Sequence, residues 1–305
     1  MLRMPSIGID LGGTKIEGAI LDEQGRIVAR DRIPTEQEGG YEHILGRVAS
    51  LAGELRARAD GVERIGIGTP GSISARDGTL KNSNTLCLNG KRLREDLEAR
   101  LGLPLVLEND ANCFALAEAR LGSGRGGEVV FGVILGTGVG GGIVLNGRIW
   151  AGPQHIAGEW GHHSVDPDGP ACYCGQRGCV ETLLSGPAME ADYQETTGGF
   201  AAAAQVAAQA ARGEAAAVAV LDRYLGRFGR ALANLIAILD PSVVVLGGGL
   251  SNLDVLYDRG RDEVARRIFN DELRTPIRRN SLGDSAGVIG AALLATSTGM
   301  STSTT

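Results

Sequence analysis

A short apolar strand that runs into a glycine turn and comes back as a second strand occurs twice in this chain, and that repetition limits the fold more than any other feature. In the first copy Ile7-Gly-Ile-Asp-Leu enters Gly12-Gly13-Thr14-Lys15 and resumes as Glu17-Gly-Ala-Ile-Leu-Asp22. In the second, Val129-Val-Phe-Gly-Val-Ile-Leu enters Gly136 to Gly142, and Ile143-Val-Leu returns to a turn at Asn146-Gly147. Strands and helical segments follow each copy. The pattern predicts a duplicated α/β architecture of two lobes, each a sheet with helices, with a cleft between them. The boundaries drawn from it are 1–121 for the N-terminal lobe and 122–284 for the C-terminal lobe. A last helix at about 285–296 is set to pack back on the first lobe, and the small, polar stretch 297–305 reads as a disordered tail.

Periodicity fills in the lobes. Helical spacing marks Tyr41 to Ala59, Leu93 to Leu101, Ala111 to Leu121, Phe200 to Arg212, Ala215 to Leu239, Leu253 to Phe269 and Ser285 to Ala295. Short apolar runs mark strands at Arg26 to Arg32, Arg64 to Gly68, Pro104 to Leu107 and Ser242 to Leu246. Asp22 to Gly25 is a hairpin turn, and Asp240-Pro241 stops the long alanine-rich helix.

A chain of 305 residues with 43% apolar and 22% charged residues has the composition of an ordinary globular protein, long enough for two domains. Its net charge of −6 argues against electrostatic binding of nucleic acid or of an anionic membrane. No apolar run approaches the roughly 20 residues of a bilayer span, and no signal-peptide pattern precedes the first strand, so the expectation is a cytoplasmic protein. Cys87 and Cys113 read as small buried hydrophobes.

Glycine is the outlier, at 47 residues gathered into short runs. Such runs mark places where backbone comes close to something. In Asp10-Leu-Gly12-Gly13-Thr14-Lys15 the turn amides can cradle phosphate oxygens, Thr14 adds a hydroxyl, and Asp10 could hold a water of hydrated Mg2+. An ordinary hairpin is the alternative. Gly136-Thr137-Gly138-Val-Gly140-Gly141 formally satisfies the dinucleotide fingerprint, but that motif needs a helix after the turn and this one leads into a strand. It reads instead as a second phosphate hairpin. Gly248 and Gly249, after a buried strand, are the natural third contact with a nucleotide.

Asn109 and Asp110 lie between a predicted strand and a predicted helix. Either could simply cap the helix. In the functional reading Asp110 takes a proton from a sugar hydroxyl while Asn109 orients the sugar. Asn84, Glu159, His162 and Glu181 are further groups of the type that converge on hydroxyls. His162, Cys172, Cys174 and Cys179 fall within 18 residues and form the Cys3His set that suits a closed, structural zinc site. Gly175 and Gly178 lie inside this knuckle, where the backbone must turn tightly. A disulfide or a redox pair is the alternative, though three clustered cysteines make an odd disulfide set.

Together these segments resemble the ROK family of repressors, open reading frames and kinases, within the hexokinase–actin-like ATPase superfamily. The resemblance covers nearly the whole chain: Asp10-x-Gly-Gly-Thr-Lys15, Gly68-Thr-Pro-Gly71, Glu108-Asn-Asp-Ala-Asn112, Gly136 to Gly142, Gly158-Glu-Trp-Gly-His162, the cysteine knuckle and Gly247-Gly-Gly249. It implies a two-domain actin-like fold and Asp110 as catalytic base. Gly71, Asn84, Asn109, Glu159, His162 and Glu181 would bind sugar. Asp10, Gly12, Gly13, Thr14, Lys15, Gly136, Thr137, Gly138, Gly140, Gly248 and Gly249 would bind ATP and Mg2+, and zinc would sit on His162, Cys172, Cys174 and Cys179. It also implies transfer to a hexose 6-hydroxyl, and a homodimer built on the C-terminal lobe. Gly71-Ser-Ile-Ser74 and Lys81-Asn-Ser-Asn84 are most similar to the bacterial fructokinase/mannokinase branch, which makes fructose the expected substrate. Asn112-Cys-Phe-Ala-Leu and Leu135 to Gly142 are equally similar to N-acetylglucosamine kinases, so that sugar, or glucose, is the alternative. A repressor of the same family would need a DNA-binding helix-turn-helix ahead of Asp10, for which this sequence leaves no room. A non-catalytic sugar-binding protein would not need Asp110, Lys15 and both hairpins intact.

Overall fold

The computed structural model describes residues 4–296; the expectation for 297–305 lies outside them. The chain divides into two compact units. One comprises the described residues of Met1–Ala117, Ala151–Ala157 and Asp284–Thr305, the other Glu118–Trp150 and Gly158–Gly283.

The first unit is built on strands β1 (Ser6–Leu11), β2 (Lys15–Leu21), β3 (Ile27–Pro34), β4 (Ile65–Thr69) and β7 (Leu105–Asn109), in the order β3-β2-β1-β4-β7. The hairpin β1–β2 is antiparallel, while β4 and β7 run parallel to β1. A small ribbon, β5 (Ser72–Ile73) with β6 (Leu80–Lys81), lies between β4 and β7 in the chain. Helices α1 (Gly40–Arg56), α2 (Leu93–Leu101), α3 (Asp110–Arg120) and α9 (Ala286–Ala295) complete the unit, with its boundary falling inside α3.

The alternation Ile-Gly-Ile in both β1 and β4 explains how this sheet is covered. Side chains alternate faces along a strand. Ile7, Ile9, Ile65 and Ile67, all fully buried, join Ile44, Leu45 and Val48 of α1 in one core. The opposite face carries glycine so that α9 can lie on the backbone itself. A Cβ at Gly8 would come within 2.3 Å of the Ala292 nitrogen, and one at Gly66 within 1.8 Å of the Ala291 carbonyl oxygen.

The second unit repeats the layout with β8 (Val129–Leu135), β9 (Val139–Leu145), β10 (Arg148–Ile149), β11 (Val243–Gly247) and β12 (Ile277–Arg279), in the order β10-β9-β8-β11-β12. Again the hairpin is antiparallel and the next two strands are parallel to its first. Each strand has its counterpart in the other sheet, so the duplicated α/β architecture expected from the two glycine hairpins is present. A separate core gathers Phe131, Val133, Leu183, Tyr224, Phe228 and Leu246. Around it lie α4 (Val180–Leu184), α5 (Gly186–Thr197), α6 (Ala203–Ala211), α7 (Ala215–Leu239) and α8 (Arg259–Ala265).

Three local expectations need correction. The helix expected over Leu253 to Phe269 is confined to Arg259–Ala265. Before it the chain makes short 3-10 turns pinned by bonds that a helix would break: the Tyr257 hydroxyl donates to the Ser251 carbonyl at 2.7 Å, and Arg279 reaches Asp254 at 2.6 Å. Helices α4 and α5 were not anticipated, although Ser185-Gly-Pro187 is a legible start signal. The Ser185 hydroxyl accepts from the Ala188 N–H at 3.3 Å, and the proline sits in the first turn. Cys113 is fully buried as expected, but Cys87 is half-buried.

Candidate active site

In the first unit the residues expected to be functional stand near the carboxyl ends of the three parallel strands. Asp10 is the penultimate residue of β1, Gly68 lies next to it on β4, and Glu108 and Asn109 end β7. A Cβ on Gly68 would stand 3.4 Å from Asp10 Oδ1 and 3.3 Å from Cys113 Sγ. Burial, then the negative charge of Asp110, then that of Glu17 push Asp10 up from 3.8 to about 7, opposed only by Lys15. Gly287 of α9 leaves the room this carboxyl occupies, since a Cβ there would lie 2.8 Å from Asp10 Oδ2.

The capping alternative is met by Asp110 as well as by Asn109. Asn109 Oδ1 accepts from the Ala111 N–H at 2.9 Å, and its Nδ2 donates to the Gly71 carbonyl at 3.4 Å. Gly71 can supply that carbonyl because its φ is +103° and a Cβ would strike the Lys81 carbonyl at 2.5 Å. Asp110, the first residue of α3, is exposed, and its Oδ1 accepts from the adjacent Ala111 N–H at 2.8 Å. Behind them Glu108, which sequence reasoning passed over, accepts from the Asn109 N–H at 2.8 Å and from Asn112 Nδ2 at 3.0 Å; burial raises its pKa. It fixes the backbone from which Asn109 and Asp110 project.

The first glycine turn is closed by a Gly12 N–H to Lys15 carbonyl bond of 2.9 Å. Thr35 is clamped across it, its hydroxyl on the Gly12 carbonyl and its N–H on that of Thr14. Gly13 faces Thr85 and Asn84, whose Oδ1 would lie 4.0 Å from a Cβ there. The Lys15 ammonium is 3.6 Å from Glu17, a fully buried carboxylate that Arg30 and Arg32 also approach, at 3.1 and 2.6 Å. The register of β2 with β3, which sets Glu17 opposite Arg32, assembles this cluster.

In the second unit Gly136, Thr137, Gly138 and Gly140 form the turn between β8 and β9 and its return. Gly248 abuts its base: its φ is +78°, and a Cβ would lie 2.4 Å from the Leu135 carbonyl. Gly249 begins the 3-10 turn that follows, with open space around it. The segment Gly158 to His162 lies across β9, and its glycines are the reason it can. A Cβ on Gly158 or Gly161 would meet the Gly141 carbonyl at 2.7 Å or the Val139 carbonyl at 1.9 Å. Trp160 anchors it edge-on to Phe131, with ring centroids 6.1 Å apart, leaving Glu159 exposed.

His162 opens the metal cluster. Its Nδ1 is 3.5 Å from Cys172 Sγ, Cys174 and Cys179 are 3.6 Å apart at sulfur, and the four ligand atoms all lie within 4.8 Å of one another. A tetrahedral zinc with bonds of about 2.3 Å to sulfur needs donors about 3.7 Å apart, so the set fits. All five cysteines, each among the described residues, are free thiols in the structure. His162 Nε2 faces the Tyr173 hydroxyl at 2.9 Å, a contact that would hold the ring with Nδ1 toward the sulfurs. At Gly178 φ is +59° and a Cβ would lie 1.6 Å from the Asp166 carbonyl; the knuckle closes only around glycine. Glu181, two residues beyond the last cysteine, accepts from the Val139 N–H at 2.9 Å.

The sequence pattern of the ROK family matches residues 6–298. Over 297 residues, covering 94% of this chain and 98% of each relative, the chain is 38% identical to an N-acetyl-D-glucosamine kinase of Photobacterium profundum and 40% identical to one of Citrobacter koseri. The crystal structure of a ROK-family glucokinase from Streptomyces griseus in complex with glucose and AMPPNP superposes with a TM-score of 0.80 at 31% identity, covering 95% of this chain and 98% of that one.

Proposed function

The chain belongs to the ROK family, with its actin-like ATPase fold, and from that premise we propose that it is a cytoplasmic, ATP-dependent N-acetylglucosamine kinase that phosphorylates the sugar 6-hydroxyl. The observation that carries the reaction class is the pair Asp10, near the end of β1, and Asp110, at the start of α3 directly after β7, close enough that the charge of Asp110 acts on Asp10. Asp110, exposed at the start of α3, serves as general base, and Asn109 and Glu108 set its position. Asp10 would hold hydrated Mg2+, which when bound supplies charge neutralisation to the phosphates. The turns at Gly12 to Lys15 and Gly136 to Gly140 offer backbone N–H groups to phosphate oxygens, with Gly248 and Gly249 beside the second. Lys15, held on Glu17, adds positive charge to the first. Glu159, His162 and Glu181, together with Gly71 and Asn84, are assigned to the sugar. His162 and the three cysteines would bind zinc as a structural metal. A homodimer belongs to the same proposal; Phe200, Ile238 and Phe269 stand exposed on the second unit as apolar surface for it.

The fructose expected from Gly71 to Ser74 and Lys81 to Asn84 gives way here to N-acetylglucosamine. Relatives aligned over nearly their full length at 38% and 40% identity carry that name, and Asn112 to Leu116 and Leu135 to Gly142 had pointed there equally. Glucose is the second reading, favoured by the glucose-bound neighbour at 31% identity. Incubating the metal-loaded protein with MgATP and N-acetylglucosamine, then locating the phosphate by 31P–1H correlation, tests the proposal. Phosphate on O6 supports it; no sugar phosphate, or phosphate on O1, would sink it.

A further inference from the structure

The second glycine turn is held in shape from one short segment, and that segment grows directly out of the metal knuckle. The Val139 N–H donates to Glu181 Oε2 at 2.9 Å, and the Gly186 N–H donates to the Gly136 carbonyl at 2.8 Å. Both anchors come from the start of α4 and the turn into α5. The first turn of α4 is itself fixed to the knuckle. Cys179 immediately precedes it, the Thr182 hydroxyl donates to the Cys179 carbonyl at 2.8 Å, and the Val180 N–H donates to the His163 carbonyl at 3.0 Å. Gly138 completes the fit. Its φ lies outside the left-handed region, and what a Cβ there would meet is the carboxylate itself: it would stand 2.6 Å from Glu181 Oε2 and displace that flexible side chain from Val139.

We propose that Glu181 is a positioning residue that ties the metal knuckle to the second glycine turn, so that the knuckle sets the geometry in which the turn receives a nucleotide's phosphates. This rests on reading the turn as a phosphate site, and it gives Glu181 a task separate from contact with sugar. A carboxylate accepting a backbone N–H makes one of the stronger hydrogen bonds, and losing it frees the turn to sample other shapes.

The test compares wild type, Glu181→Ala, Glu181→Gln and Gly138→Ala, all metal-loaded and all without sugar, by MgADP binding calorimetry and by hydrogen exchange of the Val139 amide. Alanine at 181 is expected to speed exchange at Val139 and to weaken MgADP by about tenfold, the scale of one lost charge-assisted bond. Gly138→Ala reproduces both effects from the other side of the contact, with Glu181 still present. Glutamine at 181 keeps an acceptor oxygen but not the charge, and falls between alanine and wild type in both readouts. Chelating the metal from wild type speeds Val139 exchange as well. Unchanged Val139 exchange and unchanged MgADP affinity in Glu181→Ala would overturn the proposal, even if sugar binding were lost. If wild type itself bound no MgADP, the phosphate reading of the turn would fail, while Val139 exchange would still decide whether the tether exists.

Discussion

Asp10 gives the site a pH-dependent cost that can be measured without any substrate. Its carboxyl is raised from 3.8 to about 7 in the folded chain, chiefly by burial and by the neighbouring charge of Asp110. A raised pKa means that the native state holds a proton the unfolded chain has already released. The associated stability is fully present below pH 3.8 and is lost as pH rises through 7. Between pH 5 and pH 8 this spans about two pH units at about 1.4 kcal/mol each, so wild type loses about 3 kcal/mol as an upper bound, since the half-buried carboxyl keeps some water. Asp10→Asn carries no such titration. Urea unfolding of both proteins at the two pH values, metal-loaded and free of nucleotide, cancels the titrating groups not coupled to Asp10 in the difference. The stability gap should shift toward the asparagine variant by about 1.5–3 kcal/mol on going to pH 8. Saturating MgADP should narrow that shift, because a cation beside Asp10 stabilises its ionised form. A gap that stays constant to within about 0.5 kcal/mol would refute the reasoning, because Asp10 would then be neither desolvated nor facing Asp110.

Two further outcomes follow from the same geometry. Asp110→Asn should lower kcat by about 10²–10⁴-fold with far smaller changes in sugar and MgADP affinity, whereas a residue whose only task was to bond the Ala111 N–H would barely register the swap; steady-state kinetics beside calorimetry separates the two. Cys174→Ala should lose stoichiometric zinc and sugar binding together, since His162 lies in the metal cluster and Glu159 and Glu181 flank it; metal analysis with sugar titration checks this, and retained zinc or intact sugar affinity would contradict it.

The parts of the fold that could be read from sequence are those where one residue type answers one physical demand. The two glycine hairpins announced a duplicated sheet because both needed the same strand–turn–strand grammar. The knuckle could be read because four soft ligands and two glycines have few other uses together, and Gly178 proves to be the only kind of residue that the Asp166 carbonyl would tolerate. Asn109 and Asp110 could be read as a pair of capping or catalytic residues, but the way the pair is held was hidden. It depends on Asn109 reaching both Ala111 and Gly71, a three-dimensional fact. Sequence distance concealed the rest. Glu181 and Val139 are far apart in the chain, and nothing in a local pattern shows that one caps the other. The Ile-Gly-Ile runs of β1 and β4 advertised strands, yet their meaning as a backbone bed for α9 emerges only when α9 is in place. The expected helix over Leu253 to Phe269 failed for a related reason, since Tyr257 and Arg279 spend their hydrogen bonds on keeping the chain out of helix.

The central claim, a sugar kinase with N-acetylglucosamine as its acceptor, is tested most directly by ADP release across a hexose panel with the metal-loaded protein. N-acetylglucosamine, glucose, mannose and fructose would be compared by kcat/KM at saturating MgATP. N-acetylglucosamine is expected to give the highest value, with glucose next and fructose well below both. A highest kcat/KM for fructose would contradict the substrate assignment, and no sugar-dependent ADP release from any hexose would contradict the kinase itself.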